Sequence, residues 1–387
     1  MSRLVLKRGA EARVRAGHPW IYRTQVAELK GAWTAREAVE VVDWAGRLLG
    51  RGFYNPRPSL CCRLLTRRDE QVDPGFFRRR IEAAWEQRRA AGLVADAYRL
   101  VWSEADGLPG LVVDRYGPVS VVQCLTLGMA TAAPWILSAL GRLFPDGRAL
   151  RADDLTAARL EGFEAHQDPP GDELVVTEGD CRFLVTPGAG HKTGLYLDQA
   201  HNRGRFARLA RGRRVLDAFC FAGGFACRAL LAGAAGALLL DSSSDALALA
   251  RRTLELNAVA DRAELREGNA FDLLRALEAA DERFGLVVLD PPPFTRRKDA
   301  VLAAARGYKE INLRALRLLE PGGVLATFSC SHHVTPGLFE EICREAAGDA
   351  GVGARVLATL GQAPDHPVIL TIPETRYLTG LLLERPS

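Results

Sequence analysis

The candidate nucleophile in this 387-residue sequence is the thiol of Cys330. It lies just past a predicted strand over 324–328, between Ser329 and Ser331 and before a pair of histidines. Polar surroundings can favour the thiolate, which is the nucleophilic form of cysteine. A thiolate that adds to C6 of a pyrimidine makes C5 enamine-like, so that C5 can attack a sulfonium methyl group. The alternative interpretation is a small buried residue near the end of a strand.

A carboxylate follows the preceding predicted strand, 286–289, in the run Asp-Pro-Pro-Pro-Phe at 290–294. The prolines restrict the backbone, so Asp290 would be held in one position. Its carboxylate could bind the exocyclic amine and the N3 edge of a cytosine, while Pro291, Pro292 and Phe294 flank the ring. The alternative interpretation is an ordinary helix start after a strand.

The turn that could hold a methyl donor is found in residues 214–225, where a short apolar run ends at a carboxylate and a Gly-Gly turn leads into a predicted helix over 225–232. This order is typical of the first strand of a doubly wound α/β sheet. Neither G-x-G-x-x-G nor G-x-x-x-x-G-K-[ST] is present, so the turn suits a cofactor with an adenosine end and no pyrophosphate, such as S-adenosylmethionine. A plain packing turn is the alternative. The candidate cofactor residues here are Asp217, Phe219, Phe221, Ala222 and Gly223.

Two more predicted strands, 237–240 and 263–267, also end in polar residues. Asp241 follows Asp217 by 24 residues, close to the spacing at which a carboxylate meets ribose hydroxyls in Rossmann-type sites. Ser242 comes next, before a predicted helix over 245–257, and Asn269 and Ala270 follow the other strand at a turn that could touch an adenine edge. Five strands that all end in polar or reactive residues predict one ligand-binding rim of one sheet.

The N-terminal part is basic. Residues 1–75 contain fourteen Lys and Arg against eight Asp and Glu, although the whole chain carries only +4. Its strand signals at 3–6, 39–42, 47–53 and 61–65 predict a small β-barrel. Trp20 and Arg23 combine an aromatic ring with a cation, which suits RNA bases and phosphates. Barrel-core packing for Trp20, and arginines scattered over a solvated surface, are the alternatives.

These patterns predict three domains, with residues 1–74 as an RNA-binding barrel, 75–186 as a small α/β domain and 187–387 as the catalytic α/β domain. The middle domain is expected to begin with a helix over 76–93 and to contain another over 132–143. A Gly-rich loop opens the third domain and could fold over a cofactor as a lid, or act only as a linker. Its candidate residues are Lys192 for RNA and Tyr196, Asp198 and Gln199 for the cofactor.

Composition favours a water-soluble chain in the cytoplasm. The sequence contains no apolar run of about 20 residues that could span a membrane, and no signal-peptide core. Its eight cysteines form no C-x-x-C pair, so most are expected to be small buried hydrophobes, and no metal site is expected.

Taken together, the motifs at 217–225, 290–294 and 329–333 resemble those of the bacterial class I S-adenosylmethionine-dependent methyltransferases that make 5-methylcytosine in 23S ribosomal RNA. The stretch Gly-His-Lys-Thr-Gly-Leu-Tyr-Leu-Asp-Gln at 190–199 and the N-terminal residues 17–23 and 52–56 resemble the same family, whose first domain is a PUA domain. The resemblance covers essentially the full length.

This resemblance implies a Rossmann-like domain with a mostly parallel seven-stranded sheet, preceded by a PUA-like barrel and a small α/β domain. It implies that Asp241, Asn269 and Asp290 line the cofactor or base pocket and that Cys330 alone attacks the base. Large-subunit ribosomal RNA would be the partner, and a homodimer is compatible with it. Two residues depart from the family pattern. The family usually has Arg at the position of Ala200, and Lys or Ala at the position of Pro293.

Two rival functions remain compatible with the residues. A base N-methyltransferase acting on guanine N2 or adenine N6 would use the loop at 290–294 and need no cysteine. A non-catalytic RNA-binding ribosome assembly factor would use the basic N-terminus but would have no need of a reactive thiol on the ligand rim. A water molecule or His332 could accept the C5 proton.

Overall fold

The computed structural model describes residues 2–93, 95–189, 195–295 and 297–387. These residues form two compact units. The first contains 1–174, 185–197 and 364–375, and the second contains 175–184, 198–363 and 376–387. The predicted domain boundaries at 74/75 and 186/187 stay a prediction.

The first unit begins with a six-stranded sheet in the order β2-β6-β5-β4-β1-β3, in which only β1 and β4 pair in parallel. Alternating apolar residues fill its inner face, among them Leu4, Leu6 and Val41, which are fully buried. All four predicted strands are present, and two short strands escaped prediction because each carries little alternation. The elements are β1 (Arg3–Leu6), α1 (Glu11–Arg15), β2 (Trp20–Tyr22), β3 (Val26–Lys30), β4 (Val39–Val42), β5 (Leu48–Tyr54) and β6 (Leu60–Thr66).

A four-stranded sheet with two long helices completes this unit, in the order β10-β9-β8-β7. Asp73 caps the first helix by accepting from the Phe76 amide at 2.7 Å, and Pro74 occupies its first turn. The second helix begins at Leu127, five residues before the predicted start, because Thr126 caps it and Pro134 is accommodated inside it. The elements are α2 (Pro74–Ala90), β7 (Ala97–Trp102), β8 (Leu111–Tyr116), β9 (Val119–Cys124), α3 (Leu127–Leu143), β10 (Arg148–Arg151) and α4 (Leu155–Glu161).

The second unit is built on a seven-stranded sheet in the order β15-β14-β13-β16-β17-β19-β18. The first five strands in this order are parallel, and β19 alone runs in the opposite direction, pairing antiparallel with both β17 and β18. This mostly parallel sheet confirms the predicted Rossmann-like fold. Helices between successive parallel strands cover the sheet. The elements are β11 (Leu174–Glu178), β12 (Cys181–Val185), α5 (Ala200–Ala207), β13 (Arg214–Ala218), α6 (Gly224–Leu231), β14 (Gly236–Asp241), α7 (Ser244–Leu256), β15 (Ala263–Glu267), α8 (Ala270–Ala279), β16 (Phe284–Leu289), α9 (Val301–Leu318), β17 (Leu319–Ser329), α10 (Pro336–Ala350), β18 (Arg355–Gly361) and β19 (Thr379–Glu384).

The order in which successive strands are added to this sheet reverses between β13 and β16. These two parallel strands are neighbours, although two other strands separate them in sequence. Ligands of open α/β sheets bind at such a switch point, outside the carboxyl ends of the strands. All five parallel strands therefore end at the edge where a cofactor and a base could meet. Across the described parts of the chain, no helix has both the length and the hydropathy needed to cross a membrane.

Candidate active site

The turn after β13 has an unusual backbone. Phe219 and Phe221 have φ values of +65° and +48°, in the left-handed region that non-glycine residues rarely adopt. The Cys220 amide donates to the Leu240 carbonyl at 3.0 Å, and the Gly223 amide donates to the Cys220 carbonyl at 2.8 Å. Left-handed residues cost about 1–3 kcal/mol each and cluster at ligand clamps. The turn is thus held tightly against β14 in a conformation suited to a bound ligand.

The two glycines of this turn leave no space for a side chain. A Cβ on Gly223, whose φ is +69°, would lie 2.9 Å from Cδ2 of Leu239. A Cβ on Gly224 would lie 2.9 Å from Cδ of Arg203 and 3.2 Å from the ring of Phe183. The glycines therefore permit the close packing of the turn as well as its path.

Gly223→Ala should destabilise the protein and weaken binding of S-adenosylmethionine. We expect a loss of about 2–4 kcal/mol, since the substitution combines left-handed strain with overpacking, and a cofactor affinity lowered at least about tenfold. Thermal denaturation and titration calorimetry measure the two effects. Gly212→Ala is the matched control, because Gly212 has a φ of +71° but open space around it. Equal effects of the two substitutions would contradict a packing role for Gly223.

Asp217 at the end of β13 lies beneath this turn and is 1% exposed. Its Oδ2 accepts from the Ala226 amide at 2.9 Å, which ties the strand to the first turn of α6. Burial raises the pKa of Asp217 to about 7, with further increases from the neighbouring carboxylates of Asp290 and Asp241. Three strand-end carboxylates are thus brought within electrostatic reach of one another, as expected of a common rim.

This raised pKa makes stability depend on pH. The folded state binds the Asp217 proton more tightly than the unfolded state, whose pKa is about 3.9, so stability from this group is complete below pH 4 and is lost as pH rises through about 7. In the absence of cofactor, wild type should lose up to about 4 kcal/mol relative to Asp217→Asn between pH 4 and pH 8. Urea unfolding of both proteins at the two pH values tests this. A difference that does not change with pH would contradict it.

Asp241 ends β14 and is partly exposed. Its Oδ2 accepts from the Phe221 amide at 2.9 Å and its Oδ1 accepts from the Ser243 amide at 3.0 Å. Each carboxylate oxygen can accept further hydrogen bonds, so the group can also receive ribose hydroxyls. Ser242 beside it is exposed, whereas Ser243 caps α7 by accepting from the Ala246 amide at 3.2 Å.

Asn269 follows β15 and is exposed, and it caps α8 with Oδ1, which accepts from the Phe271 amide at 2.9 Å. This cap uses only the side-chain oxygen, so the side-chain amide nitrogen can donate to a ligand. Ala270 is buried in the first turn of α8. Asn269 and Ala270 therefore lie at a helix N-terminus on the same edge as Asp241.

The segment before α5 contributes two buried polar side chains. Asp198 accepts from the Tyr377 hydroxyl at 2.6 Å. Gln199 is 2% exposed, and its Oε1 accepts from the side-chain amide of Asn202 at 2.6 Å. Its Nε2 has no hydrogen-bond partner among the described residues, so it can donate to a ligand. Tyr196 is partly buried and belongs to the first unit, and Lys192 lies outside the described residues.

The candidate nucleophile and the candidate base-binding loop are neighbours. The Cys330 thiol donates to the Pro291 carbonyl at 3.8 Å, directly after Asp290. The Asp290 amide lies 3.5 Å from the Ala218 carbonyl, so this loop starts beside the end of β13. Asp290 and Cys330 are partly exposed and Pro292 is exposed, so a ligand can reach them.

Cys330 differs from the other seven cysteines, which are all buried. Burial raises the pKa of Cys343 to about 12 and that of Cys61 to about 11, so both thiols stay protonated at neutral pH. Cys330 is the one partly exposed cysteine, and it lies just after β17 at the ligand-facing edge of the sheet.

Tyr308 of α9 supports both loops, and the sequence analysis missed it. Its hydroxyl lies 3.0 Å from Oγ of Ser331, and its ring centroid lies 4.5 Å from that of Phe294. The Thr295 amide approaches the same Oγ at 3.5 Å. One buried tyrosine thus links the loop after β16 to the loop after β17. In the sequence, Tyr308 is only a tyrosine on the apolar face of a helix. Tyrosines in this position are as common in ordinary hydrophobic cores as they are at functional sites.

Two of the candidate RNA residues, Trp20 and Arg23, lie on the first unit. Nε1 of Trp20 donates to Glu104 at 2.8 Å, and its ring packs edge-on against His18 at 5.2 Å. Arg23 is exposed and contacts the Pro56 carbonyl at 3.4 Å. Trp20 therefore contacts both Glu104 and His18 while its side chain stays partly exposed, and Arg23 is available to solvent.

Arg203 and Glu178 were also missed. They form a buried ion pair, with Nε of Arg203 donating to Glu178 at 2.9 Å, and the Arg203 side chain backs Gly224. This ion pair could not be predicted from the sequence, because its two residues are 25 positions apart and no local pattern links them.

The site fits S-adenosylmethionine. It offers a carboxylate for ribose hydroxyls in Asp241, an exposed side-chain amide donor in Asn269, and a buried donor without a hydrogen-bond partner among the described residues in Gln199. The tight turn at 219–223 allows the backbone to approach a cofactor closely. The turn lacks the glycine patterns that bind phosphate, which is consistent with a cofactor that has no phosphate group.

Comparison with known proteins agrees with this geometry. Residues 124–369 match a family model described as S-adenosylmethionine-dependent methyltransferase, and residues 4–67 match a PUA-like domain. "Ribosomal RNA large subunit methyltransferase I" of Klebsiella pneumoniae strain 342 is 41% identical over 98% of this chain and 97% of its own length. The protein of the same name from Escherichia coli O9:H4 is 39% identical, with 98% of both chains covered.

Solved structures show the same fold over nearly the whole chain. A putative methyltransferase complexed with SAH has a TM-score of 0.85 at 18% identity, covering 99% of this chain and 100% of its own. A putative SAM-dependent methyltransferase from Streptococcus mutans has a TM-score of 0.83 at 18% identity, with the same coverage.

Proposed function

The chain belongs to the family of S-adenosylmethionine-dependent methyltransferases with an N-terminal PUA-like domain, and we propose that it methylates C5 of a cytidine in 23S ribosomal RNA through a covalent Cys330 adduct. Its cofactor is S-adenosylmethionine. The observation that supports the proposal is the 3.8 Å approach of the Cys330 thiol to the Pro291 carbonyl, which brings the candidate nucleophile to the loop that begins with Asp290.

Large-subunit ribosomal RNA as substrate is supported by two facts. The Klebsiella and Escherichia relatives, which are similar over nearly their full length, are named as methyltransferases of that RNA. The basic surplus of residues 1–75 suits a polyanionic partner. Arg23 and Trp20 are proposed RNA contacts, as is Lys192. A homodimer and a cytoplasmic location stay predictions.

The cofactor would be held by residues around the ends of β13, β14 and β15. In this proposal Asp241 accepts the ribose hydroxyls with Ser242 beside it, and Asn269 and Ala270 face the adenine. Gln199 donates to a polar atom of the cofactor. Asp217 ties the end of β13 to α6 and is also a proposed cofactor contact. The remaining proposed contacts are Tyr196, Asp198, Phe219, Phe221, Ala222 and Gly223.

Bound S-adenosylmethionine supplies an electrophilic methyl group. Asp290 holds the N3 edge of the cytosine, and Pro291, Pro292 and Phe294 flank its ring. The Cys330 thiol gives up its proton to water and its sulfur bonds to C6, while the Asp290 carboxyl donates a proton to N3 and takes it back when the sulfur later leaves. The enamine formed in this way makes C5 nucleophilic, so that C5 gains the methyl group. The C5 proton then passes to water or His332, the C5–C6 double bond re-forms, and the sulfur leaves C6 as thiolate. The net change is replacement of C5–H by C5–CH₃ with release of one proton.

A tritium-methyl transfer assay on unmodified large-subunit ribosomal RNA, followed by nucleoside digestion, tests this function. The proposal predicts label in 5-methylcytidine. Label in N2-methylguanosine or N6-methyladenosine would replace it with base N-methylation. Cofactor binding without transfer to any RNA would favour a non-catalytic assembly factor.

A further inference from the structure

Cys330 lies between two buried serines. Ser329 ends β17 and is 1% exposed, Ser331 is 2% exposed, and Cys330 between them is partly exposed. In an extended chain successive side chains point to opposite sides. The chain at 329–331 therefore directs both serines into the protein and leaves the thiol on the outer side, where it approaches the Pro291 carbonyl.

The serine hydroxyls belong to a buried cluster that also contains the hydroxyl of Tyr308. Oη of Tyr308 lies 3.0 Å from Oγ of Ser331, and the Ser331 amide donates to Oγ of Ser329 at 3.4 Å. The Thr295 amide donates to Oγ of Ser331 at 3.5 Å. Ser331 is thus bonded to groups from three different segments of the chain, directly after the candidate nucleophile.

The Tyr308 ring is held by its neighbours. Its centroid lies 4.5 Å from that of Phe294, and it meets the Phe339 ring edge-on at 5.6 Å. Gly307 makes the first contact possible, because a Cβ on this glycine would lie 3.2 Å from the Phe294 ring. The side-chain amide of Asn312 donates to the Tyr308 carbonyl at 2.8 Å. The hydroxyl at the end of this ring therefore has a fixed position.

The cluster opposes any rotation of the chain around Cys330. A buried hydroxyl that loses its hydrogen-bond partner is costly, since water cannot replace that partner. If the backbone turned the thiol inward, Ser329 and Ser331 would leave the cluster and Tyr308 would lose its hydrogen bonds to them. The outward direction of the thiol is therefore stabilised from both sides of the nucleophile.

Tyr308 acts as a neutral hydrogen-bonding group in this cluster. Burial raises the pKa of its hydroxyl, so the hydroxyl keeps its proton at neutral pH. Hydrogen bonds with Ser329 and Ser331 lower this pKa, whereas negative charge on Cys330 raises it. The tyrosine and the nucleophile are thus within electrostatic reach, but a protonated phenol cannot accept the proton of the thiol.

We propose that Tyr308, Ser329 and Ser331 are positioning residues, which hold Cys330 in the direction from which its sulfur reaches C6 of the cytosine. The inference rests on the proposed methyl transfer and assigns the geometry of its first step to buried hydroxyls. A displacement of about 1 Å at a reacting group can cost roughly 10²-fold in rate. Groups behind the nucleophile can therefore control the reaction without contacting the base.

Tyr308→Phe and Ser331→Ala are the test variants, made singly and together. Each removes one hydroxyl and leaves the rest of the side chain. Thr327→Val is the matched control, because Thr327 also lies in β17 and has a buried hydroxyl, which has no hydrogen-bond partner among the described residues. All proteins are compared at a temperature at which thermal denaturation shows each of them to be folded.

Three measurements separate positioning from other roles. Single-turnover methyl transfer to large-subunit ribosomal RNA gives the rate of the chemical step. Calorimetry gives the affinity for S-adenosylmethionine. Alkylation of Cys330 by iodoacetamide, followed by mass spectrometry over a range of pH, gives the intrinsic reactivity of the thiol, since a small reagent does not require one direction of attack.

Tyr308→Phe and Ser331→Ala should each slow methyl transfer by about 10- to 100-fold. Since both act through one hydrogen-bonded cluster, the loss in the double variant should be smaller than the product of the two single losses. The affinity for S-adenosylmethionine should stay within about twofold of wild type, and the alkylation rate of Cys330 within about threefold at every pH. Thr327→Val should transfer methyl groups at the wild-type rate, within about twofold.

Several results would overturn the inference. Transfer at the wild-type rate by Tyr308→Phe would show that its hydroxyl does not position the thiol, and losses that simply multiply in the double variant would separate it from Ser331. Alkylation that falls as much as transfer would mean that the cluster activates the thiolate instead. An equal loss in Thr327→Val would indicate general disturbance of β17. In all these cases wild type still makes 5-methylcytidine, whereas its failure to do so would remove the proposed function itself.

Discussion

Cys330→Ala is expected to abolish methyl transfer to cytidine, with a loss of at least about 10³-fold in turnover. The reason is chemical, because C5 of cytosine cannot attack the methyl group until a nucleophile has added to C6. No second cysteine can substitute, since the other seven are buried. Tritium-methyl transfer to ribosomal RNA measures the loss, and calorimetry should show unchanged cofactor binding.

Cys343→Ala is the control for simple removal of a thiol. Its Sγ lies 3.8 Å from an oxygen acceptor, Oδ1 of Asn312, the same distance as that between the Cys330 sulfur and the Pro291 carbonyl, but it is buried away from the strand ends. This variant should lose some stability and keep its activity. Transfer that survives in Cys330→Ala would rule out the thiolate mechanism and favour N-methylation of a base.

Asp290→Asn should lower kcat by about 10²- to 10⁴-fold, the usual contribution of a positioned acid or base. Asparagine keeps the size and shape of the side chain but cannot exchange a proton with N3 of the cytosine. Single-turnover methyl transfer isolates the chemical step. Because Asp290 is proposed to act on the base, the affinity for S-adenosylmethionine should change much less than kcat.

Two further variants separate this effect from general loss of charge. Asp272→Asn removes an exposed carboxylate in the first turn of α8, whose side chain is 74% exposed, and should leave activity within about twofold of wild type. Asp241→Asn should mainly weaken cofactor binding. Normal turnover by Asp290→Asn would contradict its role at the base.

The rim of the sheet could be predicted from sequence because parallel strands end on one edge whatever the details of packing. Asp217, Asp241 and Asp290 each follow an apolar run, so their common location needed only the correct strand assignment. The cap of α7 by Ser243 was similarly visible, since serine before a helical pattern is a local signal.

Other features depend on contacts between distant residues. The left-handed backbone of Phe219 and Phe221 contradicts the preference of both residues, and the fold enforces it through hydrogen bonds to β14. The pKa of Asp217 is raised mainly by burial, which sequence does not show. Tyr308 reaches Ser331 across 23 residues, and no local pattern marks that contact.

The covalent adduct is tested most directly with RNA in which the target cytidine carries fluorine at C5. After methyl transfer the fluorine cannot leave as a proton does, so elimination is blocked and the bond between Cys330 and C6 persists. Incubation with S-adenosylmethionine should give wild type a protein–RNA band that survives a denaturing gel, and Cys330→Ala should give none. Efficient methylation of normal RNA with no such band for wild type would contradict a thiolate adduct at C6.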